Sequence, residues 1–356
     1  MRRVAPMAAG AVGMGCIGFP NHPVWEVTTA CNLRCQHCHA SSGEPMEGEL
    51  DTPEALDLLE GVARVGEFRM MVFTGGEPLV RPDLLDLLAR SRDLGFVSVI
   101  ATNAVLIDDS LARQLRGLGV AGVAVSLDGA EAGVHDAIRG VPGAFDGALG
   151  GIEAARRAGL SVQINVTAMR GNLKEVPRVL RMADQLGADI VLLYQLVPVG
   201  RGDVIRDQAL TAEENRELMD TVIRAQSGLR TVVQPVAAPQ FWPRLLSRNG
   251  PAARPPGAMA RLSFHGCVAG RGLAYIKPDG DVWACPFLPV SAGNVREASF
   301  LDIWSRGALF KDLREKPLGG ECGRCEKAEI CRGCRSRAYA HTGDYMAEDP
   351  SCFLST

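Results

Sequence analysis

The sequence predicts an α/β fold built on a parallel sheet, followed by a small cysteine-rich C-terminal domain. Three observations carry this. Between residues 24 and 194 six short β-rich runs alternate with amphipathic helical stretches over short connections. Regular βα alternation implies parallel strands with right-handed crossovers. Residues with chemical character gather where the strand-like runs end, which is where α/β sheets place their sites. From Cys267 onward, long periodic segments give way to turns, short elements and seven cysteines.

The first strand reads as 24–29 and runs directly into Cys31-Asn32-Leu33-Arg34-Cys35-Gln36-His37-Cys38. Thr52-Pro53-Glu54 reads as an N-cap with proline at the first helical position, opening a helix to about residue 65. A buried strand at 70–74 ends in Gly75-Gly76-Glu77-Pro78, and a helix follows over 82–94. The pattern repeats as strand 97–101, helix 108–118 and strand 122–127, the last ending in Asp128-Gly129. Helix 146–158, strand 161–167, helix 173–186 and strand 189–194 complete six units, which suit a doubly wound sheet or a partial barrel. Thr211 with Glu214 forms a capping box for another helix, to about 226. Pro-, Arg- and Ala-rich sequence over 234–260 reads as a linker. Lys277-Pro278-Asp279-Gly280-Asp281 marks a turn between strands at 273–276 and 281–284. The domains are then an N-terminal arm at 1–20, the βα core at 21–233, the linker, and a cysteine-rich domain at 261–356.

Composition narrows the function class. The 356 residues are 47% hydrophobic and 22% charged, with a formal net charge of −3. That fits a soluble globular enzyme and excludes a broad basic footprint for nucleic acid. No run approaches the ~20 apolar residues that span a bilayer. The start, Met1-Arg2-Arg3 with a glycine-rich apolar stretch, lacks a small-x-small cleavage site and reads as an arm, so a cytoplasmic location is expected. Eleven cysteines, grouped early and late with none between Cys38 and Cys267, point to metal ligands rather than disulfides.

The spacing C-x3-C-x2-C supplies three thiolates, one short of the four that a cubane cluster takes. A structural zinc ion is the alternative, although the loop offers only His37 or His39 as a fourth ligand. With Gly75-Gly76-Glu77-Pro78 one unit later, the chain resembles the radical S-adenosylmethionine (SAM) superfamily. In that family three cysteines hold a 4Fe-4S cluster whose open iron binds SAM, and reductive cleavage of SAM yields a 5′-deoxyadenosyl radical. The resemblance implies a partial (β/α)6 barrel. It makes Cys31, Cys35 and Cys38 the cluster ligands, with Glu77 beside them in the catalytic set. His37 would meet adenine, and Gly75, Gly76 and Glu77 the SAM amino group. Asn103 joins the SAM site at the end of the third strand, Ser126 and Asp128 suit the ribose, and Arg139 the SAM carboxylate.

The C-terminal set, C-x12-G-x4-C, then C-x2-C-x5-C-x2-C and a last cysteine, is similar to the SPASM extension, which holds auxiliary iron–sulfur clusters. Carried over, Cys267, Cys285 and Cys334 belong to a first auxiliary 4Fe-4S cluster, and Cys322, Cys325, Cys331 and Cys352 to a second. One cluster rather than two, or zinc in the Cys322–Cys334 knuckle, are the other readings. The last close pair is spaced x2 instead of x3 and an eighth cysteine is missing, with Cys16 and His265 as candidate substitutes. Gly200-Arg201-Gly202 after the sixth strand is a candidate contact for a substrate carboxylate, although an arginine there is more often simply solvated. Tyr194 and Gln195 are candidate cavity residues.

Longer segments, including Phe73–Pro82, Leu196–Gly202 and Cys285–Pro289, resemble the haem-pathway radical SAM enzymes and cytosylglucuronate decarboxylase of nucleoside-antibiotic pathways. The leading expectation is a decarboxylase of a small carboxylated substrate, a uronic-acid nucleoside such as cytosylglucuronate. The alternatives are a tetrapyrrole side-chain decarboxylase of haem biosynthesis, a ribosomal-peptide maturase, and a non-catalytic iron–sulfur electron-transfer protein. A one-electron donor such as flavodoxin or ferredoxin is the implied partner, with no nucleic acid and no membrane.

Overall fold

The computed structural model describes residues 21–248 and 266–354. The arm at 1–20, with Cys16, and His265 lie outside the described residues. Nine strands form one sheet in the order β7-β6-β5-β4-β3-β2-β1-β8-β9. They are β1 (His22–Glu26), β2 (Met70–Thr74), β3 (Val97–Thr102), β4 (Gly122–Ser126), β5 (Ser161–Ala168), β6 (Ile190–Gln195), β7 (Val232–Val236), β8 (Leu273–Ile276) and β9 (Val282–Trp283). Every pairing is parallel except β8 with β9. Its two ends, β7 and β9, are not paired with each other, so the sheet is open.

The helices of the core are α1 (Thr52–Ala63), α2 (Leu84–Asp93), α3 (Asp109–Gly117), α4 (Ala132–Arg139), α5 (Ala144–Arg157), α6 (Val176–Gln185), α7 (Ala212–Gln226) and α8 (Phe241–Arg248). The C-terminal module adds α9 (Phe300–Arg306), α10 (Ala308–Glu315), α11 (Gly320–Arg324), α12 (Ala328–Cys331) and α13 (Arg335–Thr342). Thr211 and Glu214 close the predicted capping box on α7. The cap of α1 sits one residue earlier than expected: Asp51, not Thr52, accepts from the Glu54 amide. The short α4 was not anticipated from sequence.

Alternation along the strands decides what each face does. Trp25, Phe73, Ile100, Val125, Ile164 and Leu193 point into the main hydrophobic core. Their neighbours Val24, Val72, Val99, Ala124, Asn165 and Tyr194 face a cavity on the other side of the sheet. One side of the sheet is therefore structural, and the other is free to hold ligand.

Two expectations about organisation are corrected. The stretch 234–260 is not linker throughout, because Gln234-Pro235-Val236 complete β7 and α8 follows. Proline is tolerated there because β7 is an edge strand. The C-terminal module also continues the core sheet, with β8 pairing in register on β1 from His22–Leu273 to Trp25–Ile276.

Candidate active site

The loop after β1 is held on three sides. The Arg34 and Gln36 amides donate to the Arg139 and Ile138 carbonyls at the end of α4, at 3.1 and 2.9 Å. Gly140 then turns α4 aside with φ 74°, and a Cβ there would lie 2.5 Å from the Arg34 carbonyl oxygen. On the second side, the Gly76 and Glu77 amides donate to the Thr28 and Ala30 carbonyls at 2.7 and 2.8 Å. A Cβ on Gly76 would stand 2.2 Å from the Ala30 oxygen, so the glycine pair is required for contact with the chain's own backbone. On the third side, Arg201 Nε donates to the Cys35 carbonyl at 2.7 Å and Nη1 to the Ser42 carbonyl at 2.9 Å. Arg201 is thus a brace of the loop. It is neither simply solvated nor free to take a substrate carboxylate as its main role.

All ten cysteines among the described residues are free thiols. Cys31, Cys35 and Cys38 line the cavity together. Each sulfur receives one N–H donor: Leu33 N to Cys31 at 3.4 Å, Arg139 Nη1 to Cys35 at 3.6 Å and Ser42 N to Cys38 at 3.3 Å. Burial pushes the Cys31 thiol up to about 11, so an uncoordinated sulfur there stays protonated and a bound metal must displace the proton. Three thiols, each with its own donor and all lining one cavity, would hold an iron–sulfur cluster through three of the four ligands that a cubane takes.

Gly75, Gly76, Asn103, Ser126 and Arg139 line the same end of the cavity. His37 also lines it, with Nε2 3.1 Å from Asp128 Oδ2. Asn103 ties this end together, since its Nδ2 donates to Asn32 in the cysteine loop at 2.7 Å. Two residues predicted to touch SAM stand behind the wall instead. Glu77 is fully buried, and its carboxylate accepts from Asn103 N at 2.8 Å, Thr102 Oγ1 at 2.8 Å and Leu79 N at 3.1 Å. Burial nevertheless raises its pKa to about 7 against those three donors. Its local role is to cap the turn at 78–80.

Asp128 is fully buried as well. Oδ1 accepts from Thr167 N at 2.7 Å, and Oδ2 lies 2.7 Å from Arg139 Nη2. Arg139 approaches Oδ2 closely without aligning as a hydrogen bond, so this is a charge contact. Burial alone would raise the Asp128 pKa, but Arg139 and then His37 hold it well below the usual carboxylate range. Arg139 thereby stands as a fixed cation between Asp128 and Cys35.

The same cavity is also lined by Cys267, Cys285 and Cys334, and by Tyr194 and Gln195 of β6. These three thiols feel one another's charge, and burial raises Cys285 to about 12 and Cys334 to about 11. Cys322, Cys331 and Cys352 form a second electrostatic group outside the cavity. Sequence reasoning missed a buried chain beside the cavity. Tyr275 donates to Glu26 Oε2 at 2.7 Å, Lys277 Nζ approaches the same oxygen at 2.8 Å, and His39 Nε2 meets the Tyr275 hydroxyl at 3.2 Å. A charged residue, Glu26, directly after the apolar run Pro23-Val24-Trp25 was the available signal.

The chain matches the model of the radical SAM superfamily over residues 25–183 and that of the SPASM iron-sulfur cluster-binding domain over residues 267–335. It is 38% identical to the AdoMet-dependent heme synthase of Methanosarcina barkeri over 348 residues, covering 94% of this chain and 98% of that protein. The chain belongs to the radical SAM superfamily. The Fe-coproporphyrin III synthase of Methanosarcina barkeri is 33% identical over 351 residues, covering 93% of the radical SAM chain described here and 87% of its relative. Among solved structures, Streptococcus suis SuiB bound to precursor peptide SuiA shares the fold, with a TM-score of 0.74 at 19% identity over 99% of this chain and 79% of that one. The cofactors of this radical SAM enzyme are SAM and 4Fe-4S clusters, and together they supply reductive cleavage of a C–S bond to a carbon radical. No helix among the described residues is long and apolar enough to cross a membrane.

Proposed function

We propose that this radical SAM enzyme decarboxylates a side chain of an iron tetrapyrrole, in the haem branch of the superfamily. The observation that carries the reading is the likeness to AdoMet-dependent heme synthase, 38% identical over 94% of the chain. The cavity supports it, because its walls on β2, β3 and β4 are Met70, Val72, Val99 and Ala124, suited to a flat apolar ligand. Cys31, Cys35 and Cys38 would hold the SAM cluster, with Arg139 and Asn103 as candidate contacts to SAM. The substrate would lie between them and Cys267, Cys285 and Cys334. Removing a hydrogen atom and then CO2 leaves one unpaired electron on the substrate. That electron must leave to give an alkene, or be joined by another electron and two protons to give an alkane.

A uronic-acid nucleoside such as cytosylglucuronate is the second reading. It is favoured by the polar row Gln163, Asn165, Thr167, Tyr194 and Gln195 on β5 and β6, which suits sugar hydroxyls and a base. Anaerobically reconstituted enzyme with SAM and reductant decides between them. Iron-coproporphyrin III should drive release of 5′-deoxyadenosine with CO2. If only cytosylglucuronate does so, the second reading replaces the first; if only a precursor peptide stimulates SAM cleavage without CO2, both fail.

A further inference from the structure

The segment after Cys38 folds back over the cysteine loop and is pinned at each residue from Ser41 to Gly43. Ser41 N donates to the Cys38 carbonyl at 3.4 Å and Ser42 N to Cys38 Sγ at 3.3 Å. Gly43 N donates to the Thr29 carbonyl at 2.9 Å, and the Gly43 carbonyl accepts from Cys31 N at 2.9 Å. From the loop after β6, Arg201 N reaches the Cys38 carbonyl at 2.9 Å and Nη1 the Ser42 carbonyl at 2.9 Å. Ser42 is therefore fixed by its own amide and carbonyl beside the cysteine loop. The turn that places it is costly, because Ser41 takes a left-handed φ of 54° without being glycine.

The Ser42 hydroxyl is the exception to this pairing. Ser42 is 2% exposed and lines the main cavity, yet its Oγ is buried with no hydrogen-bond partner among the described residues. A buried hydroxyl left unpaired costs about 1–3 kcal/mol. The neighbouring carbonyls already accept elsewhere: Thr29 from Gly43, Cys38 from Ser41 and Arg201, Gly43 from Cys31, and Ser42 from Arg201. The acceptor that suits this hydroxyl belongs on the cavity side, beside the sulfur that the Ser42 amide already meets. A 4Fe-4S cluster on Cys31, Cys35 and Cys38 offers such acceptors, since each iron joins its thiolate to sulfides. A donor to sulfide holds the reduced, more negative cluster more tightly than the oxidised one, and so favours uptake of the electron.

We propose that the Ser42 hydroxyl donates to a sulfide of the cluster held by Cys31, Cys35 and Cys38 and raises its reduction potential, with Arg201 positioning Ser42. No bond to Ser42 forms or breaks during turnover. The role is independent of which substrate the main cavity holds.

The test uses reconstituted holoenzyme and reads the cluster instead of turnover. S42A should lower the potential of the cluster whose signal responds to SAM, making its reduction about tenfold less favourable, or ~59 mV for one electron. The auxiliary potentials should not move. In D2O, deuterium electron–nuclear double resonance of the reduced cluster should show a hydroxyl coupling that S42A lacks. S42T and S42V share one shape and differ in the hydroxyl, so S42T should keep the wild-type potential and S42V should match S42A. An unchanged potential in S42A, or equal potentials in S42T and S42V, overturns the proposal. Unchanged potential with weaker binding of SAM or substrate would assign the hydroxyl to that ligand instead. If the variants do not assemble their cluster, the wild-type spectrum decides: no deuterium coupling beyond the Leu33 and Ser42 amides overturns the proposal.

Discussion

Arg139 bridges two groups: Nη1 stands 3.6 Å from Cys35 Sγ, and Nη2 of the same guanidinium stands 2.7 Å from Asp128 Oδ2. Asp128 and Arg139 lie out of bulk water, so their charges act at low effective dielectric. Asp128→Asn would leave Arg139 buried without its counter-ion, a change that typically costs about 3–5 kcal/mol. Chemical denaturation of the cluster-free chain should show that loss, and the double variant D128N/R139Q should recover part of it. In reconstituted enzyme the removed negative charge should raise the reduction potential of the Cys31–Cys38 cluster. R139Q should lower it, because a cation and a donor to sulfur are lost. Redox titration followed by electron paramagnetic resonance reads both signs; shifts in the same direction would refute the arrangement.

Gly76 is constrained by backbone, since a Cβ would lie 2.2 Å from Ala30 O and 2.6 Å from Thr29 O. Neither atom is the end of a flexible side chain. G76A should therefore push the cysteine loop away from β2 and reduce iron incorporation at Cys31, Cys35 and Cys38. Gly150, inside α5 with nothing within 4 Å of an added Cβ, is the control. G150A should stabilise the chain by about 0.5–1 kcal/mol and leave the iron content unchanged.

Glu77 sets a pH dependence. Its folded pKa is raised from 4.5 to about 7 by burial, so the folded state binds the proton more tightly than the unfolded chain. Stability from this group is fully present below about 4.5 and is lost as pH rises through about 7, by an amount on the order of 3 kcal/mol. E77Q keeps an acceptor and carries no charge, so its denaturation midpoint should be flatter between pH 5 and 8. An identical pH slope in wild type and E77Q would exclude Glu77 as the titrating group.

Much of this site was legible in the sequence, for a physical reason. Cys31, Cys35, Cys38, Gly75 and Gly76 are local motifs placed at the C-terminal ends of strands, and parallel topology gathers those ends without further information. What was not legible depends on contacts across the fold. Asp128 and Glu77 have the right chemistry for ribose and ammonium, but β5 and β3 supply Thr167, Thr102 and Asn103 to them first. Arg201 looked like a solvated turn residue because nothing local shows that the cysteine loop lies over it. Pro235 argued against a strand, and only an edge position makes it compatible with one.

The join between core and C-terminal module rests on a buried pair. Arg337 Nε donates to Asp349 Oδ1 at 2.8 Å, and Nη2 lies 3.1 Å from Oδ2. The same guanidinium reaches Gln195 Oε1 at the end of β6 and the Ala237 carbonyl after β7, at 2.8 and 2.7 Å. Asp349 in turn accepts from the Cys334 amide and Gln240 Nε2, each at 2.7 Å. Arg296 with Glu54 also links the module to the core, but that pair is exposed to solvent. Removing one partner of a buried pair costs about 3–5 kcal/mol, whereas an exposed pair is worth ~0–1 kcal/mol. R337M should therefore lower the denaturation midpoint sharply and R296M hardly at all. Because Asp349 holds the Cys334 amide, R337M should also lose iron from the Cys267, Cys285 and Cys334 set, while Cys31, Cys35 and Cys38 keep theirs. Iron and sulfide counted per chain, with SAM cleavage as the readout of the first cluster, distinguish this from general unfolding: if both sets empty together, Arg337 is a stability residue for the whole chain rather than the anchor of the auxiliary site.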